Sequence, residues 1–399
     1  MRRFLAPLLF TLLACDYTPP PGDSPDAGGD DAAYDPHPTT PAWLQNAHVF
    51  VNGHGKEDQF DCRTQICRHN ENVDMTTYGG AMYMVHRTAR SQTLGDDSAL
   101  HVYKSPDGVQ PFVDVATLPA ITGRDLRDPC FFQVGNTLFI KALTRLPVNS
   151  TRDSDVQTIT VVTTSTDGQH WTPFENVAPP TYSFWRVKEH QGTHYSAAYQ
   201  DGDQSVTLFT STDGHAWTQG AQIYGVAADT PLETELVFMP SGKLLALVRT
   251  DGTDAELLGV DGRLRTQVCW ADPPYTSFSC PQEFDGERLD GPVAFFWQSR
   301  LFVVARKHIQ DGTGRKRTSL FEITGGDGGS LDGGPLAIKE WGELPSAGDT
   351  SYAGVAMIDD HRASVHWYAG DLVKDEAWVL AMFDITDIWE ATIDFSLLK

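Results

Sequence analysis

Residues 165–172 read STDGQHWT, and residues 211–218 read STDGHAWT. Six of the eight positions are identical, and a looser copy, SPDGVQPF, occupies residues 105–112. The Asp and Gly are typical of a tight turn, because Asp bonds backbone amides within the turn and Gly supplies a positive φ. Each copy follows a short apolar run that reads as a strand, so the chain repeats one unit of strand and turn.

A longer repeat surrounds these turns. Six segments share one plan, which is a short strand, a turn that often holds Gly or Asp, and a stronger apolar strand. They cover residues 67–87, 127–142, 184–199, 233–249, 290–306 and 352–368 and start about 50 to 60 residues apart. Helical periodicity is nearly absent after residue 42. Three or four strands in each of six units predict an all-β fold, a six-bladed β-propeller, with five blades as the alternative.

The N-terminus has the pattern of an export signal. Arg2 and Arg3 precede an apolar stretch over residues 4–13, and residues 12–15 read LLAC. This ending resembles the bacterial lipobox, so residues 1–15 are predicted to be a lipoprotein signal with Cys15 as the lipidated residue. Residues 16–41 are rich in Pro, Gly and Asp and predict a disordered acidic tether, which leaves residues 42–399 for the propeller. We therefore expect an exported bacterial lipoprotein, a monomer held by its lipid anchor at the periplasmic or outer cell surface.

Export permits disulfides among the five remaining cysteines. The short intervening loops favour pairing Cys62 with Cys67 and Cys269 with Cys280, and they leave Cys130 in an apolar strand. No cysteine pair has His partners at zinc-site spacing, so we expect neither a metal nor a cofactor.

The chain is strongly acidic, with 53 acidic and 30 basic residues and a net charge of −23. Such a surface repels nucleic acid, which excludes DNA or RNA as an expected partner. Any group of arginines must then serve a local purpose.

The repeat indicates where such a group of arginines would lie. In a propeller, the starts of the first strands and the ends of the second strands gather near the axis on one face. The strand starts offer Arg68, Arg127, Asp128, Trp185, Arg186, Glu233, Asp290 and Tyr352, and the strand ends offer Arg87, Tyr199, Arg249, Arg306 and Tyr368. Arginines at the axis of an acidic protein indicate an anionic ligand, such as a carboxylate. The alternative is that they pair with Asp128, Glu233 and Asp290.

At these residues the chain resembles the bacterial exo-sialidases. The S-x-D-G-x-x-W turn is similar to the Asp-box of sialidases and related propellers, where it is scaffold and not catalyst. In residues 233–249, ETELVFMPSGKLLALVR, a Glu opens one strand and an Arg closes the next, as in the sialidase segment. Residues 348–368 are similar to the last sialidase blade, with Tyr352 in the place of the family tyrosine.

The resemblance implies a chemistry for these residues. Tyr352 would be the nucleophile and Glu233 the base that takes its proton, as in the sialidase exception among glycosidases. In the loop TLGDDSAL, either Asp96 or Asp97 would protonate the leaving oxygen. Three arginines would hold the substrate carboxylate: Arg249; Arg68, with Arg63 and Arg87 as competitors; and Arg317, with Arg306 as competitor. The family motif Phe-Arg-Ile-Pro is absent, and CRHNE stands in its place at residues 67–71.

The sequence therefore favours an exo-acting glycoside hydrolase of the sialidase type that cleaves sialic acid or a related acidic sugar from glycoconjugates. One alternative is a glycosidase or lyase for another carbohydrate, because RDP at residues 127–129 resembles a motif of five-bladed fructan and arabinan hydrolases. The other alternative is a propeller that binds a carbohydrate or a protein without catalysis.

Overall fold

Six four-stranded antiparallel sheets make up the protein, in a computed structural model that describes residues 40–398 except 94, 147–157, 201–203, 253–263, 327–328 and 333. Each sheet is one blade, and the predicted all-β, six-bladed propeller is confirmed. The predicted signal with Cys15, and the predicted tether up to residue 39, lie outside the described residues. None of the helices in the described part is long and apolar enough to cross a membrane.

The first five blades each take four strands that follow one another along the chain. Blade 1 contains β2 (His69–Tyr78), β3 (Ala81–Ala89), β4 (Ala99–Ser105) and β5 (Val113–Pro119); blade 2 contains β6 (Asp125–Val134), β7 (Thr137–Arg145), β8 (Thr158–Ser165) and β9 (Glu175–Asn176). Blade 3 contains β10 (Tyr182–His190), β11 (Thr193–Gln200), β12 (Val206–Ser211) and β13 (Thr218–Tyr224); blade 4 contains β14 (Pro231–Phe238), β15 (Leu244–Thr250), β16 (Arg265–Ala271) and β17 (Ser279–Asp285). Blade 5 contains β18 (Asp290–Trp297), β19 (Arg300–His308), β20 (Lys316–Gly325) and β21 (Leu336–Leu344).

Blade 6 is built from both ends of the propeller. Its inner strands are β22 (Thr350–Met357), β23 (Arg362–Ala369) and β24 (Asp387–Asp394), and its outer strand is β1 (Leu44–Val51). β1 pairs antiparallel with β24, and Leu44 lies opposite Ile393. This pairing joins the first strand to the last and closes the ring. A short helix, α1 (Trp378–Ala381), lies between β23 and β24, and 3-10 turns cover Ala227–Asp229 and Phe395–Leu397.

The first strands of the blades surround the axis, where β2 contacts β6 and β22, and β14 contacts β10 and β18. In all six blades the register between the first and second strands shifts near the start of the first strand, with two residues inside each shift. A β-bulge of this kind re-aims the side chains of the unpaired residues. The bulge residues are 72–73, 128–129, 185–186, 232–233, 291–292 and 352–353 in blade order.

The three S-x-D-G turns are built alike. In the turn after β8, one carboxylate oxygen of Asp167 accepts the backbone N–H groups of Gln169 and His170, both at 2.8 Å. Asp107 and Asp213 do the same in the turns after β4 and β12. One carboxylate oxygen of each Asp is therefore used to hold the turn.

Each of these turns also contacts the preceding blade. A Cβ added to Gly168 of blade 2 would lie 2.4 Å from the Tyr83 ring of blade 1, and one added to Gly214 of blade 3 would lie 2.9 Å from Phe132 and Phe139 of blade 2. The hydroxyl of Tyr83 donates to the backbone oxygen of Asp167 at 3.2 Å. The repeated turn is therefore a contact between blades.

Apolar side chains fill the rest of the space between blades. Phe302 of blade 5 and Trp367 of blade 6 share one fully buried cluster, and Leu245 of blade 4 and Val303 of blade 5 share another. Burying a large apolar side chain stabilises a fold by roughly 1.5–3 kcal/mol relative to exposure. These clusters hold the blades at fixed positions around the axis.

Two disulfides lie outside the axis. One joins Cys62 to Cys67 in the connection between β1 and β2, and the other joins Cys269 of β16 to Cys280 of β17. Cys130 is a buried free cysteine.

Substituting Gly168 by Ala should destabilise the propeller more than substituting Gly135 by Ala. Both glycines have positive φ, 73° and 56°, so both substitutions bear the cost of a left-handed alanine, about 1–2 kcal/mol. Only the methyl group at 168 meets another blade, since nothing lies within 4 Å of a Cβ at 135. Overpacking should therefore lower the free energy of unfolding of Gly168→Ala by about 1–3 kcal/mol more. Urea denaturation of both variants measures this difference, and equal losses of stability would contradict the contact between blades.

Candidate active site

A cavity of about 410 Å³ opens at the axis. Residues from all six blades line it, most of them from the bulges of the first strands and the ends of the second strands. The lining residues are Asn72, Gln92, Arg127, Asp128, Leu143, Arg145, Thr158, Ser183, Tyr199, Leu232, Glu233, Arg249, Arg306, Tyr352 and Trp378. The ring of blades thus gathers these residues although they span about 300 positions of the chain.

Tyr352 and Glu233 meet in this cavity. The Tyr352 hydroxyl donates to Glu233 Oε1 at 2.6 Å, and the backbone N–H of Gly291 donates to Glu233 Oε2 at 3.2 Å. The Tyr352 ring lies directly against Gly291, where a Cβ would be 2.7 Å from the ring. Tyr352 itself has a φ of 45°, a backbone conformation that is rare for an aromatic residue. Three neighbouring bulges therefore fix the position of the phenol.

Arg249 and Arg306 flank the phenol. Arg249 Nη1 lies 3.0 Å from the Tyr352 oxygen and 2.5 Å from Glu233 Oε2, and Arg306 Nη2 lies 3.5 Å from the Tyr352 oxygen. The remaining nitrogens of Arg249 bond Asp251 at 2.6 and 2.9 Å. Both guanidinium groups therefore present one nitrogen to the cavity beside the phenol.

The phenol is neutral in this setting. Burial, together with the nearby Glu233 carboxylate, raises the pKa of Tyr352 well above its ordinary value. A neutral phenol is a weak nucleophile, and it becomes a strong one when a base removes its proton during attack. Glu233 is placed to be that base, since it already accepts the hydrogen bond of the hydroxyl.

Asp290 is the centre of the charge network behind the arginines. Its carboxylate lies 3.2 Å from Arg249 Nε, 3.1 Å from Arg306 Nη2 and 2.7 Å from Arg288 Nε. His308 Nε2 lies 2.9 Å from it as well. Burial on its own would raise the pKa of Asp290, but the surrounding cations, Arg249 foremost, lower it well below its ordinary value. The alternative drawn from the sequence, in which axial arginines pair with Asp128, Glu233 and Asp290, is thus present in the structure for Glu233 and Asp290.

Besides Glu233, one other carboxyl group lines the cavity among the described residues, that of Asp128. It lies at the bulge of β6 with a φ of 47°, and its Oδ1 accepts the side-chain N–H of Asn72 at 2.7 Å. Burial raises its pKa above the ordinary value. Arg127 lies beside it and pairs with Glu71 at 3.3 Å.

The structure does not bring Arg68, Arg87 or Arg317 to the cavity. Arg68 donates to the backbone oxygens of Arg90 and Phe383, and Arg317 is buried against Asp375 at 2.7 Å. Arg87 is fully buried between two carboxylates, Glu71 and Asp125. Arg68 does not reach the cavity because of the register of blade 1. The bulge of β2 lies at residues 72–73, four positions beyond Arg68.

The two loop aspartates also lie outside the cavity lining. Asp96 and Asp97 both pair with Arg90, at 2.8 and 3.1 Å. Their loop does reach the cavity, but with Gln92. Burial raises the pKa of Asp97.

Trp185 and Arg186, at the bulge of β10, do not line the cavity but lie close to Tyr352. The Trp185 ring packs 5.8 Å from the Tyr352 ring, and Arg186 pairs with Asp74 and donates to the backbone oxygen of Ala353 at 2.6 Å. These two residues support the phenol from behind.

Sequence reasoning missed several lining residues. Asn72 occupies the same bulge position as Asp128, so a repeat alignment shifted by four residues in blade 1 would have found it. Trp378 lies in the connection over residues 370–386, and it has no counterpart among the described residues of the other blades, so the repeat did not indicate it.

Among the described residues, one group of side chains has the spacing of metal ligands. Ligand atoms of His69, Glu71 and Asp349 lie within 4.8 Å of one another, and all three residues are buried. Glu71 already pairs with Arg87 and Arg127, and Asp349 with Arg306. Three arginines this close oppose the binding of a cation.

Comparisons with known proteins agree with the fold. No family model and no curated protein matches the chain by sequence. Among solved structures, the NanB sialidase of Streptococcus pneumoniae matches with a TM-score of 0.63 and 11% identity, over 88% of this chain and 71% of that one. A protein of unknown function from Dyadobacter fermentans matches with a TM-score of 0.61 and 15% identity, over 87% of this chain and 99% of that one.

The Trypanosoma rangeli sialidase, in complex with sialic acid, matches with a TM-score of 0.59 and 12% identity over 87% of this chain. This chain spans 59% of the length of that sialidase. The protein therefore has the six-bladed propeller fold of the sialidases.

Replacing Asp290 by Asn should destabilise the protein by about 3–5 kcal/mol, because it leaves buried cations without their shared counter-ion. Asp360→Asn removes the same charge from an exposed position and serves as the control. Urea denaturation of both variants measures the difference. A loss in Asp290→Asn no larger than that in the control would show that the network is not a buried charge centre.

Proposed function

We propose that the protein is an exo-acting glycoside hydrolase that cleaves a terminal sialic acid, or a related sugar acid, from glycoconjugates. The observation that carries the proposal is the 2.6 Å hydrogen bond from the Tyr352 hydroxyl to Glu233, in an open cavity beside two arginines. The likeness of the fold to sialidases supports the same conclusion.

The reaction begins with attack of the Tyr352 oxygen on the anomeric carbon of the sugar. Glu233 takes the phenol proton as the new carbon–oxygen bond forms, and the bond to the leaving oxygen breaks. The leaving oxygen needs a proton from an acid. Water then attacks the anomeric carbon, the Tyr352 oxygen leaves, and Glu233 returns its proton to the phenol.

The arginines beside the phenol indicate a sugar with a carboxylate near the anomeric carbon. Arg249 and Arg306 each turn one nitrogen toward the Tyr352 oxygen, at 3.0 and 3.5 Å. Planar guanidinium groups bind carboxylates well. A neutral tyrosine nucleophile also avoids the repulsion that a carboxylate nucleophile would have with this substrate.

Asp128 is the residue we assign as the proton donor. It lines the cavity, whereas Asp96 and Asp97 are paired with Arg90 outside the lining. Its raised pKa keeps a larger share of the carboxyl protonated at a given pH. After the first step, the Asp128 carboxylate would accept a proton from the attacking water.

A binding protein without catalysis is the second candidate. It is favoured by the internal pairing of the cavity arginines, since Arg249 already pairs with Glu233, and Arg306 with Asp290. In that case the cavity binds the sugar, and no bond is broken.

We further propose, from the N-terminal pattern, that the protein acts at the cell surface as a lipoprotein.

Tyr352→Phe and Glu233→Gln should each lower the kcat for a 4-methylumbelliferyl sialic acid glycoside by about 10²–10⁴-fold or more. The first variant lacks the nucleophile, and the second lacks its base. Fluorescence of the released methylumbelliferone measures the rate. Tyr103→Phe, a buried tyrosine outside the cavity lining, is the control and should retain the activity. Sugar binding without hydrolysis in the native protein would favour the second candidate.

Asp128→Asn should slow hydrolysis of a sialyl-lactose, which has a poor leaving group, by about 10²–10⁴-fold. The methylumbelliferyl substrate should be much less affected, because its leaving group needs little protonation. In the native protein the rate should fall as pH rises through the raised pKa of Asp128, since only the protonated form donates, and the variant should lose this limb. If Asp97→Asn shows this pattern and Asp128→Asn does not, the assignment of the acid is wrong.

A further inference from the structure

The connection over residues 370–386, here called the 370–386 segment, joins β23 to β24 and contains α1. In blade 5 the same connection comprises only residues 309–315. The longer connection contacts both blade 5 and blade 1. The backbone N–H of Trp378 donates to the backbone oxygen of Gly314 at 3.1 Å, and the backbone N–H of Gln92 donates to the backbone oxygen of Met382 at 3.0 Å. It therefore forms part of the cavity wall with Trp378, as the corresponding connection of blade 1 does with Gln92.

The 370–386 segment binds Arg68 and Arg317, two of the three arginines that the sialidase resemblance implied as substrate ligands. The Phe383 oxygen accepts from Arg68, and the Asp375 carboxylate pairs with Arg317 at 2.7 Å. Neither guanidinium group lines the cavity. The side chain that the segment contributes to the cavity lining is that of Trp378.

Trp378 is held in a defined orientation. Its indole N–H donates to Asp349 Oδ1 at 3.0 Å, and the same oxygen accepts the Tyr368 hydroxyl at 2.9 Å. Arg306 and Lys316 each lie 5.4 Å from the centre of the ring. The ring is only half-buried and lines the cavity together with Tyr352.

We propose that Trp378 is a substrate-binding residue that stacks on the apolar face of the sugar ring and so helps to select the sugar acid that the cavity accepts. The proposal rests on the proposed function for the identity of the ligand as a sugar. It gives a binding role, different from that of a carboxylate ligand, to the segment that contacts Arg68 and Arg317.

The chemistry of the indole supports this role. An aromatic ring has an electronegative face, which attracts the electropositive C–H groups on one face of a sugar ring. The polar edge of the indole is bonded to Asp349, and Arg306 and Lys316 lie over the ring, so the sugar would contact the part of the ring that lines the cavity. Arg249 and Arg306 can bind the carboxylate of the same sugar, since Arg306 contacts both Trp378 and Tyr352.

The test uses titration calorimetry on the Tyr352→Phe protein, in which binding is separated from turnover. The probes are N-acetylneuraminic acid, glucuronic acid and galactose. In this background Trp378→Ala should weaken the binding of N-acetylneuraminic acid by about tenfold or more, and Trp378→Phe should retain most of the affinity because the ring face remains. In the otherwise native protein, Trp378→Ala should raise KM for the methylumbelliferyl glycoside much more than it lowers kcat.

The outcomes separate this inference from the proposed function. Unchanged affinity in Trp378→Ala, or equal losses in the Ala and Phe variants, would overturn the stacking role while hydrolysis through Tyr352 stands. Binding that depends on the Trp378 ring, in a protein without hydrolase activity, would support the stacking role and overturn the proposed function. If none of the three sugars binds, the stacking role fails, and the proposed function fails with it only if the native protein also does not hydrolyse the methylumbelliferyl glycoside. The melting temperature of each variant is measured in parallel, and a loss of affinity counts only where the fold is retained.

Discussion

The pairing of β1 with β24 is the constraint on which the site depends. Leu44 and Ile393 lie opposite each other although they are close to the two ends of the described chain. Closing so long a loop costs conformational entropy, but the cost grows only with the logarithm of the loop length. The buried cluster between blades 5 and 6, with Leu44, Trp367 and Ile393, offsets that cost. Without closure the blades could not hold a cavity that takes residues from all six.

Within the closed ring, the bulges of the first strands turn a repeat into a site. The same two-residue register shift occurs near the start of β2, β6, β10, β14, β18 and β22. Each shift aims a different side chain at the axis, such as Asp128, Glu233 and Tyr352, while Gly291 leaves room for the tyrosine ring. A regular scaffold thereby presents a set of unlike chemical groups at one depth.

The charges around the axis explain how an acidic protein can keep arginines there. Asp290 compensates Arg249, Arg288 and Arg306 together, and Glu71 compensates Arg87 and Arg127. Buried ions of this kind are tolerated only when they are paired and hydrogen-bonded. The pairing also orients the guanidinium groups, so that Arg249 and Arg306 each direct one nitrogen toward Tyr352. Structural and binding roles of these arginines are therefore not separate.

The sequence predicted the propeller and its six blades, with five as the alternative, and it placed Tyr352, Glu233 and Arg249 among the residues expected near the axis. These follow from a repeat whose period and strand pattern are local properties of the chain, and equivalent positions in equivalent blades reach the same axis. The three-dimensional arrangement was needed to show that Arg68 and Arg317 lie outside the cavity and that Trp378 lines it. The register of one bulge placed Asn72, not Arg68, at the axis of blade 1. The 370–386 segment binds both arginines and also contacts blades 1 and 5. The period of the repeat predicts neither the register of a bulge nor the path of this connection, because both depend on contacts between residues far apart in the chain.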